Sequence, residues 1–455
     1  MTPMDSSIRP ESWLPLLQTH PQVASARLLP GPGTRIEVVP ESHVIETVSG
    51  WSYLFEDLYS AGVDQGGGRH EQREQQLVGW VDALTRKPVP VEQMREWTQA
   101  TVDRVLSLRP RRVLEIGAGT GLIMAGLLDG TDIEEYVATD LADASVQVLR
   151  SIGARAARHT RVGVSQCAAH EDLPASRGPG YDMVILNSVV QYFPSVRYLE
   201  EVIAKLIGLA APHGHLFLGD VRDSTVLDRH YRRRPDDGEH FDLERHQRRD
   251  FELSLSPDYL RSLRDTFDAV SAVEAAPRAG RFHNEMTLFR FDAVLHLGCR
   301  PPATQPFTSR GLEADDGAVV RHIASGAGPA VWRAVPNARL EGPVRGALYP
   351  ERLWGLGSDV GWKVRVGCEP GKGLGALEVW AGPAGTAHDH FGLSLPGVAG
   401  APLPEQPPLP PGRMWSLLDT LKARLNQAPD VGDSAGGEPP VIQLVPRHTG
   451  PAGQE

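Results

Sequence analysis

The sequence predicts an α/β protein built on a mostly parallel sheet with helices on both faces. Three observations carry this expectation. Short apolar strands alternate with helical stretches through the middle of the chain. A glycine-rich turn, "RVLEIGAGTGL" (112–122), joins the first of these strands to a helix. An acidic residue, Asp140, closes the next strand.

Strands are expected at 113–117, 136–140, 161–167, 182–188, 215–221, 271–276 and 286–297, with helices near 120–129, 142–152, 196–211 and 257–267. Only "PRAGRFHN" separates the last two strands, so they should pair antiparallel at the sheet end. Upstream, 12–26 reads as a short helix followed by a strand, "RIEVVP" (35–40). Residues 43–61 and 90–108 read as amphipathic helices, the second opened by Pro90. The charged run 222–250 reads as a solvated excursion, or as a mobile lid or docking surface. Two helix–strand pairs fill 301–395 as a small accessory unit; a Pro-rich linker, a helix over 414–426 and a tail of disorder-like composition come after it.

Composition narrows the function classes. The 455 residues carry 46 Lys and Arg against 57 Asp and Glu, a net charge of −11, which argues against a general nucleic-acid or anionic-membrane binder. Cys167, Cys299 and Cys368 are widely spaced and odd in number, so neither a zinc site nor a disulfide framework is expected. The N-terminus has no apolar leader run, and the expected location is the cytoplasm.

Gly117, Gly119 and Gly121, with Ala118 between them, let the backbone turn tightly against a ligand. A dinucleotide fold would place its third glycine where Leu122 stands, which lowers the nicotinamide reading. Glu115 lies inside the strand, where a buried carboxylate needs a partner such as a ligand ammonium group. Asp140 is placed to accept from two ribose hydroxyls. S-adenosylmethionine carries an amino acid at one end and a ribose at the other. A structural ion pair for Glu115 and a helix cap for Asp140 are the alternatives. The candidate cofactor contacts extend to Leu141, Ala169, His170, Asn187 and Ser188.

"ILNSVVQYFP" (185–194) breaks an apolar strand with polar residues. Ligands of this sheet type lie at the carboxyl ends of the strands, so Asn187 should reach cofactor or substrate, unless it caps the turn after it. Tyr192 and Phe193 would wall the site or serve as core aromatics, and Asp220 would accept from a substrate or pair with Arg222.

The stretches "NSVVQYFPSVRYLEEVI" (187–203), "HLFLGDVR" (215–222), "NEMTLFRFDAVLH" (284–296), "LVGW…PVPVEQMREW" (77–97) and "VPNARL" (335–340) resemble class I S-adenosylmethionine-dependent methyltransferases, specifically those embedded in nonribosomal peptide synthetases. The resemblance covers about 43–395. It implies a Rossmann-like seven-stranded sheet with the last strand antiparallel, an N-terminal helical lid and a small C-terminal α/β unit. The implied division is 1–42, an adenylation-domain-like remnant; 43–110, the lid; 111–300, the cofactor-binding core; 301–395, the accessory unit; and 396–455, linker, helix and tail. The implied activity is N-methylation of an amino acid's α-amino group, free or held as a thioester on a peptidyl carrier protein, by a free-standing enzyme. O- or C-methylation of a related intermediate and a silent scaffold are the alternatives. Asn284 and Glu285 match the family's Asn-Glu pair and, with Asp220 and Tyr192, are the candidates for the chemistry. Tyr53 and Tyr59 would close the pocket. One departure stands at Ala83-Leu84-Thr85, where the family often has Ser-Tyr-Thr.

Overall fold

The computed structural model describes residues 13–19, 23–29, 35–40, 56, 80, 82, 87–129, 131–156, 160–232, 252–298, 308–310, 316–325, 328–384 and 441–444. Apart from Glu56, the expected helix over 43–61, with Tyr53 and Tyr59, lies outside these residues, as do the helix over 414–426, Ala83-Leu84-Thr85 and most of the charged run. The chain divides into two compact units: Met1–Leu54 with His240–Phe251 and Gln406–Glu455, and Phe55–Glu239 with Glu252–Glu405.

In the first unit, strand Val23–Leu29 pairs antiparallel with Arg35–Pro40, and Val441–Leu444 adds to the latter in parallel. The helix expected over 12–26 stops at Gln18, because Pro21 has no N–H to donate, and Val23–Leu29 is strand.

The second unit contains a seven-stranded sheet. Its strands are β1 (Arg112–Ile116), β2 (Glu135–Asp140), β3 (Arg161–Gln166), β4 (Tyr181–Asn187), β5 (Ala210–Arg222), β6 (Val270–Pro277) and β7 (Arg290–Leu297), in the order β3-β2-β1-β4-β5-β7-β6. The first five in that order run parallel, and β7 is antiparallel to both β5 and β6. After β3 the chain returns across β1 to β4, which puts a topological switch point, and hence a crevice, between the carboxyl ends of β1 and β4.

Helices α1 (Val91–Leu106), α2 (Leu122–Leu128), α3 (Asp143–Ala156), α4 (Val196–Leu209) and α5 (Pro257–Thr266) flank the sheet. Local chemistry sets their starts: Ser195 Oγ accepts from Tyr198 N at 3.1 Å, and Ser256 Oγ accepts from Tyr259 N at 3.0 Å, just before Pro257. β2 and β4 are almost wholly buried, as strands covered on both faces must be. Met94, Trp97 and Val105 of α1 pack with Leu127, Leu149, Ile152 and the strands in one core.

One expected strand differs. Residues 286–297 were to be extended throughout, but Glu285–Phe289 form a helical turn, α6, before β7 begins. The apolar run "MTLF" fits either period; the cap decides. Asn284 Oδ1 accepts from Thr287 N at 3.2 Å while Thr287 Oγ1 accepts from Asn284 N at 3.1 Å.

The same unit carries a second sheet of β8 (Thr308–Arg310), β9 (Ala330–Pro336), β10 (Trp362–Glu369) and β11 (Gly373–Pro383), ordered β8-β9-β11-β10. Its own core gathers Val319, Ile323, Trp332, Val335, Val366 and Leu377. Among the described residues, no helix is long and apolar enough to cross a membrane and no acid, His and Cys cluster fits a metal ion.

Candidate functional site

The loop after β1 turns on three left-handed glycines: Gly117 at φ 66°, Gly119 at 54° and Gly121 at 77°. A Cβ at Gly117 would lie 2.6 Å from Val189 Cγ2, so the loop sits directly against the turn after β4. At Gly121 a Cβ would lie 2.4 Å from Ile152 Cδ1, in α3. Asp140, buried at the end of β2, accepts from Gly119 N at 2.7 Å and from Ala142 N at 3.0 Å. It thus fixes both the loop and the approach to α3. Burial raises its pKa despite these bonds.

Glu115 finds a partner within the protein: Tyr136 Oη donates to Oε2 at 2.5 Å. Burial pushes Glu115 up to about 8, the phenol opposing and Asp140 adding to the rise. Beyond Asp140, Gln166 Nε2 donates to the Leu141 carbonyl at 2.9 Å and Cys167 N to the Asp140 carbonyl at 3.0 Å. These bonds bring the loop with buried Ala169 and half-buried His170 alongside. His170 Nδ1 lies 2.9 Å from Tyr198 Oη, and the Tyr198 ring meets Phe193 edge-on at 4.9 Å.

The turn after β4 is strained. Ser188 has φ 56°, and its N–H donates to the Gly219 carbonyl at 2.9 Å. Its hydroxyl donates to Asp220 Oδ2 at 3.0 Å and accepts from Gln191 Nε2 at 2.9 Å. Asn187 is buried, and its Oδ1 has no hydrogen-bond partner among the described residues. An unpaired buried acceptor costs stability unless a donor arrives. Together with the glycine loop, this orphan acceptor fits a ligand rich in N–H and O–H donors, as S-adenosylmethionine is. Half-buried Tyr192 ends the short 3₁₀ turn after Val189.

Asp220 is fully buried, with φ 59°, at an irregularity of β5. Trp97 Nε1 donates to it at 3.1 Å and Arg290 Nη1 at 2.7 Å, while Arg278 Nε lies 3.4 Å away. Its cationic partners are therefore Arg290 and Arg278; Arg222 pairs instead with Glu252 at 3.4 Å. Arg278 also donates to Asp292 and to Thr101, each at 2.7 Å, with its guanidinium 5.1 Å from the Trp97 ring. Burial would lower the Arg290 pKa, but Asp220 and Glu285 drive it above its ordinary value.

Because β7 is antiparallel, its start lies where β5 ends, with Arg290 opposite Arg222. Asn284 and Glu285 therefore stand at the same sheet edge as the glycine loop. Glu285 Oε1 accepts from Arg290 Nη2 at 2.6 Å, and Asn284 Nδ2 donates to Gln93 Oε1 at 2.7 Å. A continuous chain of contacts runs Glu285–Arg290–Asp220–Ser188, beside Asn187. Sequence reasoning missed Arg290, Arg278, Trp97 and Tyr136. The available signal was "RFD", an arginine and an aspartate at the start of a mostly apolar strand.

The methyltransferase domain family matches residues 114–216. The chain is 32% identical over 366 residues to CymA, a probable non-canonical nonribosomal peptide synthetase of Salinispora arenicola, covering 76% of this chain and 4% of that protein. It is 31% identical over 369 residues to the chondramide synthase of Chondromyces crocatus, covering 75% of this chain and 9% of that protein. The chain thus spans less than a tenth of the length of either relative. Among solved structures, N-methyltransferase NodS from Bradyrhizobium japonicum aligns over 44% of this chain and 87% of its own, at 15% identity and a TM-score of 0.32, an overlap too partial to carry weight. The residues that match the methyltransferase domain family, 114–216, run from β1 and its glycine loop into β5, and three quarters of the chain is similar to regions of nonribosomal peptide synthetases.

Proposed function

We propose that the chain N-methylates the α-amino group of an amino acid, free or held as a thioester on a carrier protein. The observation that carries this reading is the likeness, over three quarters of the chain, to nonribosomal peptide synthetases.

S-adenosylmethionine supplies a methyl group already activated on a sulfonium. The chain's own residues then have to align a neutral amine and exclude water. Asp140 would take the ribose hydroxyls, with Leu141, Ala169 and His170 bordering the adenosine. The backbone of Gly117, Ala118, Gly119 and Gly121 would run along the amino-acid end, with Glu115 behind it. Asn187 Oδ1, buried and unpaired among the described residues, would accept from an incoming N–H, and Ser188 fixes the turn that presents it. Tyr192 would wall the acceptor side.

Asp220 and Glu285 share the cation of Arg290. Their part is to hold the edge and set its field, with Asn284 fixing the start of α6, and burial would disfavour the protonated form of the amine. C-methylation would ask His283, beside Glu285, to form an enolate. His283 pairs with Glu351 at 2.8 Å and stacks on Tyr349 at 5.5 Å, while Glu285 pairs with Arg290.

The test is mass spectrometry of free amino acids and aminoacyl-carrier proteins incubated with cofactor. A product heavier by one methyl, located on the α-nitrogen by fragmentation, is expected. A methyl on oxygen or carbon would contradict the reading.

A further inference from the structure

We propose that the accessory unit, through Arg339, is a positioning clamp for the segment 278–287 that carries Asn284 and Glu285; this rests on the N-methyltransfer reading above. Arg339 stands on the short helix Ala338–Glu341, whose start is capped by Asn337: Oδ1 accepts from Arg339 N at 3.1 Å, while Nδ2 donates to the Leu374 carbonyl at 2.9 Å. The Arg339 side chain is wholly buried, yet it is not spent within its own unit.

Its guanidinium reaches across to the large sheet. Nη1 donates to the carbonyls of Arg278 at 2.8 Å and Thr287 at 3.2 Å, and Nη2 donates to that of Gly280 at 2.5 Å. One planar fork therefore ties together both ends of a segment whose middle holds Asn284 and Glu285. Trp354 lies under the guanidinium at 5.3 Å.

Glu351 completes the clamp. One of its oxygens accepts from Arg339 Nε at 2.9 Å, and the other lies 2.8 Å from His283 Nε2. From the opposite side α1 holds the same segment: Glu96 accepts from Phe282 N at 3.3 Å and Gln93 from Asn284 Nδ2 at 2.7 Å. The segment is thus gripped between α1 and the accessory unit. It delivers Arg278 to Asp220 and Asp292, and Glu285 to Arg290. Arg339 meets this segment at its backbone carbonyls and acts through the backbone that places the crevice side chains.

The test compares Arg339→Lys with Val366→Ala in the full chain with S-adenosylmethionine bound. Val366 lies in the core of the accessory unit, so its truncation weakens that unit without a change in the clamp. A lysine keeps the charge and loses the fork. At a temperature where both variants are folded, Arg339→Lys should lower kcat by about 100-fold, the scale of an ångström-sized misplacement. Its KM and cofactor Kd should stay within about twofold, and Val366→Ala should keep the parent kcat. Hydrogen exchange at 280–289 should quicken in Arg339→Lys. Unchanged kcat in Arg339→Lys, or an equal loss of kcat in Val366→Ala, would overturn the clamp. If the parent chain methylates none of the acceptors, the functional reading has failed, and hydrogen exchange still decides the clamp. Faster exchange at 280–289 supports it, and unchanged exchange overturns it.

Discussion

The crevice edge of the large sheet is built in two different ways. At β1 and β2 the backbone does most of it: three left-handed glycines and one carboxylate, Asp140, that accepts from the loop it faces. At β5 and β7 side-chain ions do it: Asp220, Glu285 and Asp292 lie buried among Arg290 and Arg278. The first half is stiff because its atoms are covalently close. The second is stiff only while every charge keeps its partner, since a buried ion left alone is costly. Both halves meet at Asn187 and Ser188, where Val189 backs Gly117 and the Ser188 hydroxyl reaches Asp220.

Removing a cation should therefore cost most. Arg290→Met strands Asp220 and Glu285 without their shared partner, and chemical denaturation should show a loss of about 3–5 kcal/mol. A loss under about 1 kcal/mol would mean that the ions are not coupled as described.

Next comes the glycine half. Gly117→Ala forces a side chain into φ 66° and towards Val189 Cγ2, and should cost about 2–3 kcal/mol by thermal unfolding, with weakened cofactor binding. An unchanged melting temperature would place the stiffness elsewhere.

The third effect is electrostatic and shows only as pH changes. With its pKa at about 8 instead of 4.5, Glu115 stays protonated in the folded chain while the unfolded chain ionises it, so its contribution to stability falls as pH rises between those values. Glu115→Gln should flatten that part of the stability profile, read as melting temperature against pH. A profile of unchanged slope would contradict the assignment.

The two halves also differed in how far the sequence revealed them. Left-handed backbone nearly demands glycine, so the 117–121 loop and the acid at 140 could be read locally. Asn187 was readable for a related reason, as an amide at the mouth of an apolar strand. The ionic half was not, because its contacts are remote in sequence: Trp97 lies 123 positions from Asp220, and Arg290 lies 70. Arg222, two residues away, looked the natural partner, yet it faces Glu252. The α6 turn hid in an apolar run whose period is ambiguous, and its cap, Asn284 with Thr287, was read only as chemistry.

The central claim is that one half holds the cofactor while the other sets up the acceptor. Calorimetry with S-adenosylmethionine, run beside turnover on Asp140→Ala and Glu285→Gln, tests it most directly. Asp140→Ala should weaken cofactor binding by about tenfold or more, a loss of at least about 1.4 kcal/mol. Glu285→Gln should slow turnover with cofactor affinity within about twofold of the parent. Cofactor affinity falling together with turnover in Glu285→Gln, or turnover left unchanged there, would contradict the division.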